Sequence, residues 1–134
     1  MKTSKTTIIE INKKKIGNEQ PVYIIAEIGI NHNGSLEIAK KLIDVAVVAK
    51  VDAVKFQKRD INSLYKEDVL KNPNIDSQGL EILLNVLNEV EFNNSDYEKI
   101  IQYCNDSGIT FLCTAWDKKS VDFLEKFNIP AYKI

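Results

Sequence analysis

Polar or charged residues lie near the carboxyl end of each apolar segment that the sequence predicts to be a strand. They are Glu27, Lys55 with Gln57, Thr114 and Lys133. In a parallel sheet, the carboxyl ends of the strands meet at one edge, where barrels collect catalytic side chains and open sheets bind ligands. Because an unpaired buried charge is costly, such a cluster indicates either mutual pairing or a charged ligand.

Both interpretations of this cluster remain open from the residues alone. In the first, Lys55 and Lys133 form an anion pocket with the Thr114 hydroxyl, since lysine is a compact point charge suited to phosphate. Glu27 would not bind phosphate, and would instead hold a hydroxyl group or move a proton. In the second, Glu27 and Lys55 form a buried ion pair without any ligand.

The elements that must position these residues alternate between strand and helix. Apolar runs predict strands over residues 22–29, 52–57, 109–114 and 130–134. Helical spacing, with capping candidates Ser35, Ser95 and Asp117, predicts helices over 36–50, over 80–90, from 95 to 108, and after 117. Such β-α-β units have right-handed crossovers and a parallel sheet, which is either doubly wound or part of a barrel. No Gly-x-Gly-x-x-Gly follows the first strand, which argues against a dinucleotide site.

The domain organisation follows from this order. Residues 1–21 are predicted to form an N-terminal hairpin or ribbon. Residues 22–134 are predicted to form the N-terminal half of a parallel (β/α) TIM-type barrel. A complete barrel needs about 250 residues, and this chain ends on an apolar strand, so we expect a chain truncated at strand four.

Composition narrows the class of protein. With 44% hydrophobic and 28% charged residues, the chain is expected to be globular, and its net charge of −1 provides no field to attract nucleic acid or an anionic membrane. No run approaches the roughly 18 apolar residues of a membrane span. Two cysteines without a Cys-x-x-Cys pair indicate a reduced, cytoplasmic protein. A single histidine without a cysteine or carboxylate cluster cannot make a zinc site.

Some polar segments have no settled role. Residues 58–79 form a long polar connection, which in a compact domain is usually functional and often a lid. His32 lies in the turn 31–34, where capping of backbone groups and contact with a substrate are equally compatible with the sequence. Core packing and helix capping account for Trp116 and Asp117.

Three segments resemble successive signatures of the N-acetylneuraminate (sialic acid) synthase family, which includes legionaminic and pseudaminic acid synthases. They are YIIAEIGINHNG at 23–34, AVKFQK at 53–58 and IPAYKI at 129–134. Their order and spacing, with Thr114 between them, carry the resemblance. It implies a (β/α)8 barrel that condenses phosphoenolpyruvate with the open-chain aldehyde of an N-acylated mannosamine-type sugar, giving a nonulosonic acid and phosphate.

The resemblance also implies roles for individual residues. Those placed against phosphoenolpyruvate are Lys55, Thr114 and Lys133, and those placed against the sugar and the reacting centre are Glu27 and Gln57. Glu27 is the catalytic candidate. Asn74 is a candidate for a further sugar contact, although residues 72–92 depart from the family pattern.

A divalent metal, Mn or Mg, is expected in the full-length family member, with ligands absent from this chain. The full-length protein is expected to be a homodimer in which an antifreeze-like C-terminal domain reaches the partner subunit. The 134 residues alone are expected to be inactive. The alternative is a non-catalytic half-barrel from a shortened gene, which would serve as an anion-binding or assembly module.

Overall fold

The structure is a computed structural model that describes residues 7–72 and 80–133. Its strands are β1 (Ile9–Ile11), β2 (Lys14–Ile16), β3 (Ile25–Gly29), β4 (Ala53–Lys58), β5 (Thr110–Ala115) and β6 (Tyr132–Lys133). Its α-helices are α1 (Leu36–Val48), α2 (Ile61–Leu64), α3 (Glu67–Lys71), α4 (Leu80–Val90), α5 (Asn94–Asp106) and α6 (Lys118–Leu124). A 3-10 helix, Glu125–Phe127, follows α6 directly.

The strands β3, β4, β5 and β6 form one parallel sheet and lie in chain order. Helical segments connect each strand to the next, as β-α-β units require. The central strands β4 and β5 are buried along most of their length. In β4 the apolar Val54 and Phe56 alternate with the polar Lys55 and Gln57, whereas β5 has an apolar run over residues 111–113. The predicted fold class, a parallel β/α arrangement of TIM-barrel type preceded by a hairpin, is confirmed.

An apolar core lies between one face of the sheet and the helices. On α1 the core residues Ala39, Ile43 and Ala46 follow helical spacing and form one face. They pack with Val54 and Phe56 of β4 in the same cluster. Full burial of a large apolar side chain contributes about 1.5–3 kcal/mol, so this layer fixes the position of the sheet. The opposite face of the sheet carries the polar Glu27 and Lys55 together with the apolar Ile25 and Leu112.

The hairpin β1–β2 lies at the amino end of the sheet. Its two turn residues, Asn12 and Lys13, have φ of 47° and 69°, as a two-residue hairpin turn requires. Lys14 forms an ion pair with Asp52, just before β4, and Asn12 Nδ2 donates to Thr110 Oγ1 over 2.9 Å at the start of β5. The hairpin is therefore held against the amino ends of two central strands.

Two details of the helices differ from the sequence prediction. Helix α5 begins at Asn94, and its cap is Asn93, whose Oδ1 accepts from the backbone N–H of Asp96 over 3.0 Å. The predicted cap, Ser95, lies inside the first turn. The connection predicted over 58–79 also contains α2 and α3, and α2 is capped by Asp60.

The longest described helices, α1 and α5, have 13 residues each. Among the helices of the described residues, none combines the length and apolar character needed to cross a membrane.

Candidate active site at the carboxyl edge of the sheet

The strand register brings the predicted site residues to one edge of the sheet. The residues paired across neighbouring strands are Glu27 with Lys55, Gln57 with Thr114, and Thr114 with Lys133. Because side chains alternate along a strand, Lys55 and Gln57 lie on the same face of β4. The structure therefore gathers these residues on one face of the sheet, with Gln57, Thr114 and Lys133 toward the carboxyl ends of their strands and Glu27 and Lys55 nearer mid-strand. Asn74 lies outside the described residues.

The centre of this edge is the ammonium group of Lys55. Its Nζ lies 2.8 Å from Glu27 Oε2 and donates to Thr114 Oγ1 over 3.3 Å. The side chain of Lys55 is only 10% exposed, and a buried ammonium is costly unless it is paired. An ammonium has three N–H donors, and these two contacts leave one for a ligand.

The partner carboxylate is open to solvent. The side chain of Glu27 is 60% exposed, although its pair with Lys55 is short. The ion-pair interpretation from sequence is therefore right about the contact and about the burial of Lys55, and wrong about the burial of Glu27. A pair with one exposed member contributes little to stability, up to about 1 kcal/mol, and its carboxylate is accessible to a substrate.

Lys133 faces the same cavity as this pair. The cavity has a volume of about 240 Å³ and is lined by Ile11, Ile25, Glu27, Lys55, Leu112, Ala131, Tyr132 and Lys133. Two lysines and one carboxylate give this lining an excess positive charge, which favours an anionic ligand. The Thr114 hydroxyl accepts from Lys55, so its own hydrogen is available to an oxygen acceptor.

Gln57 lies two residues beyond Lys55 in β4, and its side-chain amide lies beside Gly29 at the end of β3. Its Nε2 would be 3.5 Å from a Cβ atom placed on Gly29, which has φ of +56°. The register of β3 against β4 shifts between Glu27 and Gly29. The glycine accommodates the left-handed backbone at this irregularity and leaves space beside the Gln57 amide.

A second cluster of charged residues borders this edge, and sequence reasoning missed it. The guanidinium group of Arg59 donates through Nη2 to Gln57 Oε1 and lies 4.5 Å from the ring of Trp116. The backbone N–H of Arg59 donates to Glu91 Oε1 over 3.1 Å. The signal available in the sequence was the position of Arg59, directly after the end of β4. The resemblance to the family resumes near Glu91 and Phe92, but Glu91 lies 32 residues beyond Arg59, so no sequence pattern connects the two residues.

The Glu91 carboxylate is largely buried, with 11% of its side chain exposed. Burial raises the pKa of this carboxyl, against the opposing effects of the Arg59 N–H and of the Lys58 charge. The Tyr97 hydroxyl donates to the Gln57 carbonyl and lies 3.2 Å from Glu91 Oε1, and burial raises its pKa well above the ordinary value. These contacts connect β4 to α5 behind the site.

The two residues that follow β5, Trp116 and Asp117, have different surroundings. Trp116 is 48% exposed, so the expectation of core packing is wrong, and its ring stacks on Arg59 instead. Asp117 caps α6, since its Oδ1 accepts from the backbone N–H of Ser120 over 2.9 Å. The capping expectation is confirmed.

The turn after β3 has a structural role in the described residues. Asn31 Nδ2 donates to the Ile28 carbonyl over 2.9 Å, as expected of a capping side chain. His32 is 1% exposed and stacks on Phe92 with ring centroids 3.9 Å apart. Burial lowers the pKa of His32 to about 4, so the imidazole is neutral at pH 7. This placement favours capping and packing over substrate contact by His32.

The cysteine thiols are inert. Cys104 and Cys113 are both buried, and burial raises the pKa of each to about 12. A thiol with this pKa supplies almost no thiolate at neutral pH.

The divalent metal implied by the resemblance has no matching site within residues 7–72 and 80–133. No group of three or more histidine, cysteine, aspartate or glutamate side chains gathers there. Glu27 is paired with Lys55, and His32 is packed against Phe92. The described residues therefore do not fit such an ion by themselves.

Comparison with known proteins identifies the family. Residues 42–134 match the model of the NeuB family. The chain belongs to the NeuB family. The matched range contains Lys55, Gln57, Thr114 and Lys133, whereas Glu27 precedes it.

Several curated relatives of the chain are named as synthases of N-acetylneuraminate 9-phosphate or of legionaminic acid. The chain is 31% identical to the human N-acetylneuraminate-9-phosphate synthase over 120 residues, which cover 89% of the chain and 33% of the human protein. It is 33% identical to the N,N'-diacetyllegionaminic acid synthase of Legionella pneumophila, covering 90% of the chain and 35% of that protein. The chain thus spans about a third of the length of these relatives. The predicted relationship to sialic and legionaminic acid synthases is confirmed.

A solved structure shows the same fold. It is the N-acetylneuraminic acid (sialic acid) synthetase of Leptospira borgpetersenii serovar Hardjo-bovis in complex with citrate. The TM-score is 0.78 at 29% identity, and the match covers 96% of this chain and 41% of that one. Almost the whole of this NeuB-family chain therefore has the fold of the matching part of that synthetase.

Proposed function

We propose that this chain carries part of the active site of a phosphoenolpyruvate-dependent nonulosonic acid synthase. The observation that carries the proposal is the buried Lys55 ammonium, held between Glu27 and Thr114 and facing a cavity that Lys133 also lines. Membership of the NeuB family and the names of the relatives support the reaction class. The acceptor is an N-acylated mannosamine-type sugar.

In this proposal the two lysines and the threonine bind phosphoenolpyruvate. Lys55 and Lys133 supply positive charge for phosphate or carboxylate oxygens. Thr114 donates its free hydroxyl hydrogen to one of these oxygens, because its lone pair already accepts from Lys55. The buried position of Lys55 strengthens this interaction, since water does not screen it fully.

The proposed reaction forms a bond between the methylene carbon of phosphoenolpyruvate and the aldehyde carbon of the sugar. Water then adds and phosphate is released. Glu27 lies beside the ammonium that holds the anion, and its exposed carboxylate holds a sugar hydroxyl or accepts a proton. Gln57, on the same face of β4, contacts the sugar. Asn74 remains a proposed further sugar contact.

Other parts of the proposed enzyme lie outside the described residues. A divalent ion, manganese or magnesium, would polarise the aldehyde, and its ligands would come from elsewhere in the protein. We propose a cytoplasmic homodimer in which residues 22–134 form the first half of the barrel and the hairpin within 1–21 closes its amino end.

The test compares a complete synthase that carries this segment with the 134-residue chain. Each is incubated with phosphoenolpyruvate, N-acetylmannosamine and Mn²⁺, and both phosphate release and sugar-acid formation are measured. The complete synthase is expected to form both products, and the short chain neither. A complete protein that binds phosphoenolpyruvate in calorimetry but never consumes it with any N-acylated amino sugar would favour the anion-binding alternative.

A further inference from the structure

We propose that Arg59 is a positioning residue that fixes the side-chain amide of Gln57, so that the amide NH₂ group faces the acceptor sugar. The inference rests on the proposed function, because it assigns a direction to a sugar contact within that site. It adds a residue and a hydrogen-bond polarity that the family resemblance does not supply.

The polarity follows from the chemistry of the two side chains. Arg59 Nη2 contacts Gln57 Oε1. A guanidinium group has five N–H donors and no acceptor, so it selects the oxygen of the amide. The Gln57 Nε2 group must then point the other way, and it does so toward Gly29, where a Cβ would be 3.5 Å away. Gly29 places no side chain against this donor, and Gln57 is only partly buried.

Arg59 is itself held firmly enough to impose this orientation. Its side chain is 7% exposed, and its ring contact with Trp116 places the indole 4.5 Å from the guanidinium carbon. Glu91 accepts from the backbone N–H of Arg59 over 3.1 Å, and its second oxygen lies 3.8 Å from Arg59 Nη1. Both ends of the arginine are therefore fixed by groups that do not line the cavity beside Lys55.

The backbone of Gln57 is fixed by the same cluster. The Tyr97 hydroxyl donates to the Gln57 carbonyl from the helix side of the sheet. Since the backbone and the amide oxygen are both held, the free direction of this side chain is its NH₂ group. The sugar atom that meets it must be a hydrogen-bond acceptor, such as a hydroxyl or acyl oxygen, and not an ammonium group.

The kinetic test uses the complete synthase with Arg59→Met, Gln57→Ala and the double variant. Arg59→Met keeps much of the side-chain volume but removes every donor. We expect it to raise the KM for the sugar about tenfold, with the KM for phosphoenolpyruvate changed less than twofold. When residue 57 is already alanine, Arg59→Met is expected to cause no further rise in the KM for the sugar. An unchanged sugar KM, or an equal rise in both backgrounds, would overturn the inference.

Two further variants distinguish positioning of the Gln57 amide from the general effect of losing a positive charge. Lys118→Met removes an exposed positive charge that pairs only with Asp122 on α6 among the described residues, and it is expected to leave both KM values unchanged. Gln57→Glu keeps an oxygen for Arg59 but has no NH₂ group. We expect it to impair sugar binding as much as Gln57→Ala does, and normal sugar binding by Gln57→Glu would overturn the assigned polarity.

A structural readout tests the contact between Arg59 and Gln57 separately from activity, so that its failure can be told apart from failure of the proposed function. In crystals of the complete protein, we expect the Gln57 amide to contact Arg59 in the parent and to rotate away in Arg59→Met. An unrotated amide would overturn the inference even if the parent is inactive. If Arg59→Met does not fold, Arg59→Lys provides the comparison, because one ammonium cannot reproduce the planar contact. If the parent is inactive but the Gln57 amide rotates in the variant, the proposed function is refuted and the positioning role of Arg59 stands.

Discussion

The two ends of the sheet each carry a lysine–carboxylate pair, and the pairs are built differently. At the amino end, Asp52 is 13% exposed and Lys14 is 39% exposed. One oxygen of Asp52 accepts from Lys14, and the other accepts from the backbone N–H of Ile24 over 2.6 Å. At the carboxyl end the lysine is the protected partner, since Lys55 is 10% exposed while Glu27 is 60% exposed.

This difference separates a structural contact from a candidate site. Both oxygens of the Asp52 carboxylate accept a hydrogen bond from the protein, and these contacts hold the hairpin against the sheet. The Glu27 carboxylate has open coordination, and the lysine beneath it is fixed in position before any ligand arrives. Preorganised charge beside an accessible carboxylate is an arrangement that catalysis uses, whereas a closed pair at the opposite end has nothing further to bind.

The largest expected effect comes from Glu27→Gln in the complete synthase. The variant keeps the size of the side chain but removes its charge and basicity. If Glu27 moves a proton, kcat is expected to fall about 10²-fold or more, while the melting temperature changes little because the side chain is exposed. Steady-state kinetics and thermal unfolding of parent and variant check this. An undiminished kcat would remove the functional distinction between the two pairs.

A pH effect of intermediate size is expected from His32, behind the carboxyl edge. Its folded-state pKa is lowered to about 4 by burial, so below its ordinary value near 6.5 the unfolded chain binds a proton that the folded chain does not. Stability is therefore unaffected above that value and falls as the pH drops from 6.5 toward 4. At about 1.4 kcal/mol per unit of pKa, the loss of folding free energy on acidification is at most roughly 3 kcal/mol. Relaxation of the structure around the charged imidazole reduces this loss to about 2 kcal/mol.

The matched variant for this effect is His32→Asn, whose amide oxygen can replace Nδ1 as acceptor for the Gly34 N–H. Urea unfolding of parent and variant at pH 7 and pH 4.5 gives the comparison. We expect the variant to lose less stability on acidification than the parent. Equal losses in the two proteins would show that His32 is not the group responsible.

The smallest effect is expected at the amino end, from Asp52→Asn. Burial alone would raise the pKa of Asp52, but the hydrogen bonds from Lys14 and Ile24 and the charge of Lys14 lower it overall. The stability from this pair is therefore present above the ordinary aspartate pKa and is lost only as the pH falls below it. Removing the charge should cost about 1–2 kcal/mol at pH 7, with kcat and both KM values unchanged. A kinetic defect without a stability loss would contradict the structural role.

The sequence predicts the fold because its strands are long apolar runs with polar ends. Parallel pairing follows from the β-α-β pattern, whereas the chain order of the strands and the register that unites Glu27, Lys55 and Thr114 come from the structure. Helix starts are less certain, because Asn93 and Ser95 are both good caps and only the three-dimensional structure shows which one is used. The short helices α2 and α3 have too few residues to show periodicity.

The second cluster could not be predicted for a different reason. Arg59 and Glu91 are far apart in the chain, and their contact depends on how α4 and α5 pack behind β4. Trp116 reads as a core residue because of its size, yet it is half exposed and covers the guanidinium group. The exposure of Trp116 and the contact of Arg59 with Glu91 both depend on packing between segments that lie far apart in the chain, and sequence patterns do not show that packing.

The most direct test of the central claim is Lys55→Ala in the complete synthase, with the KM for phosphoenolpyruvate and the melting temperature measured together. If Lys55 holds the anion, loss of a charge-assisted contact worth roughly 1.5–3 kcal/mol raises this KM between about 10-fold and 100-fold. The sugar KM and the melting temperature then change little, because Glu27 is already solvated. A variant with a strongly lowered melting temperature and an unchanged KM would show that the Lys55–Glu27 pair serves folding and not substrate binding.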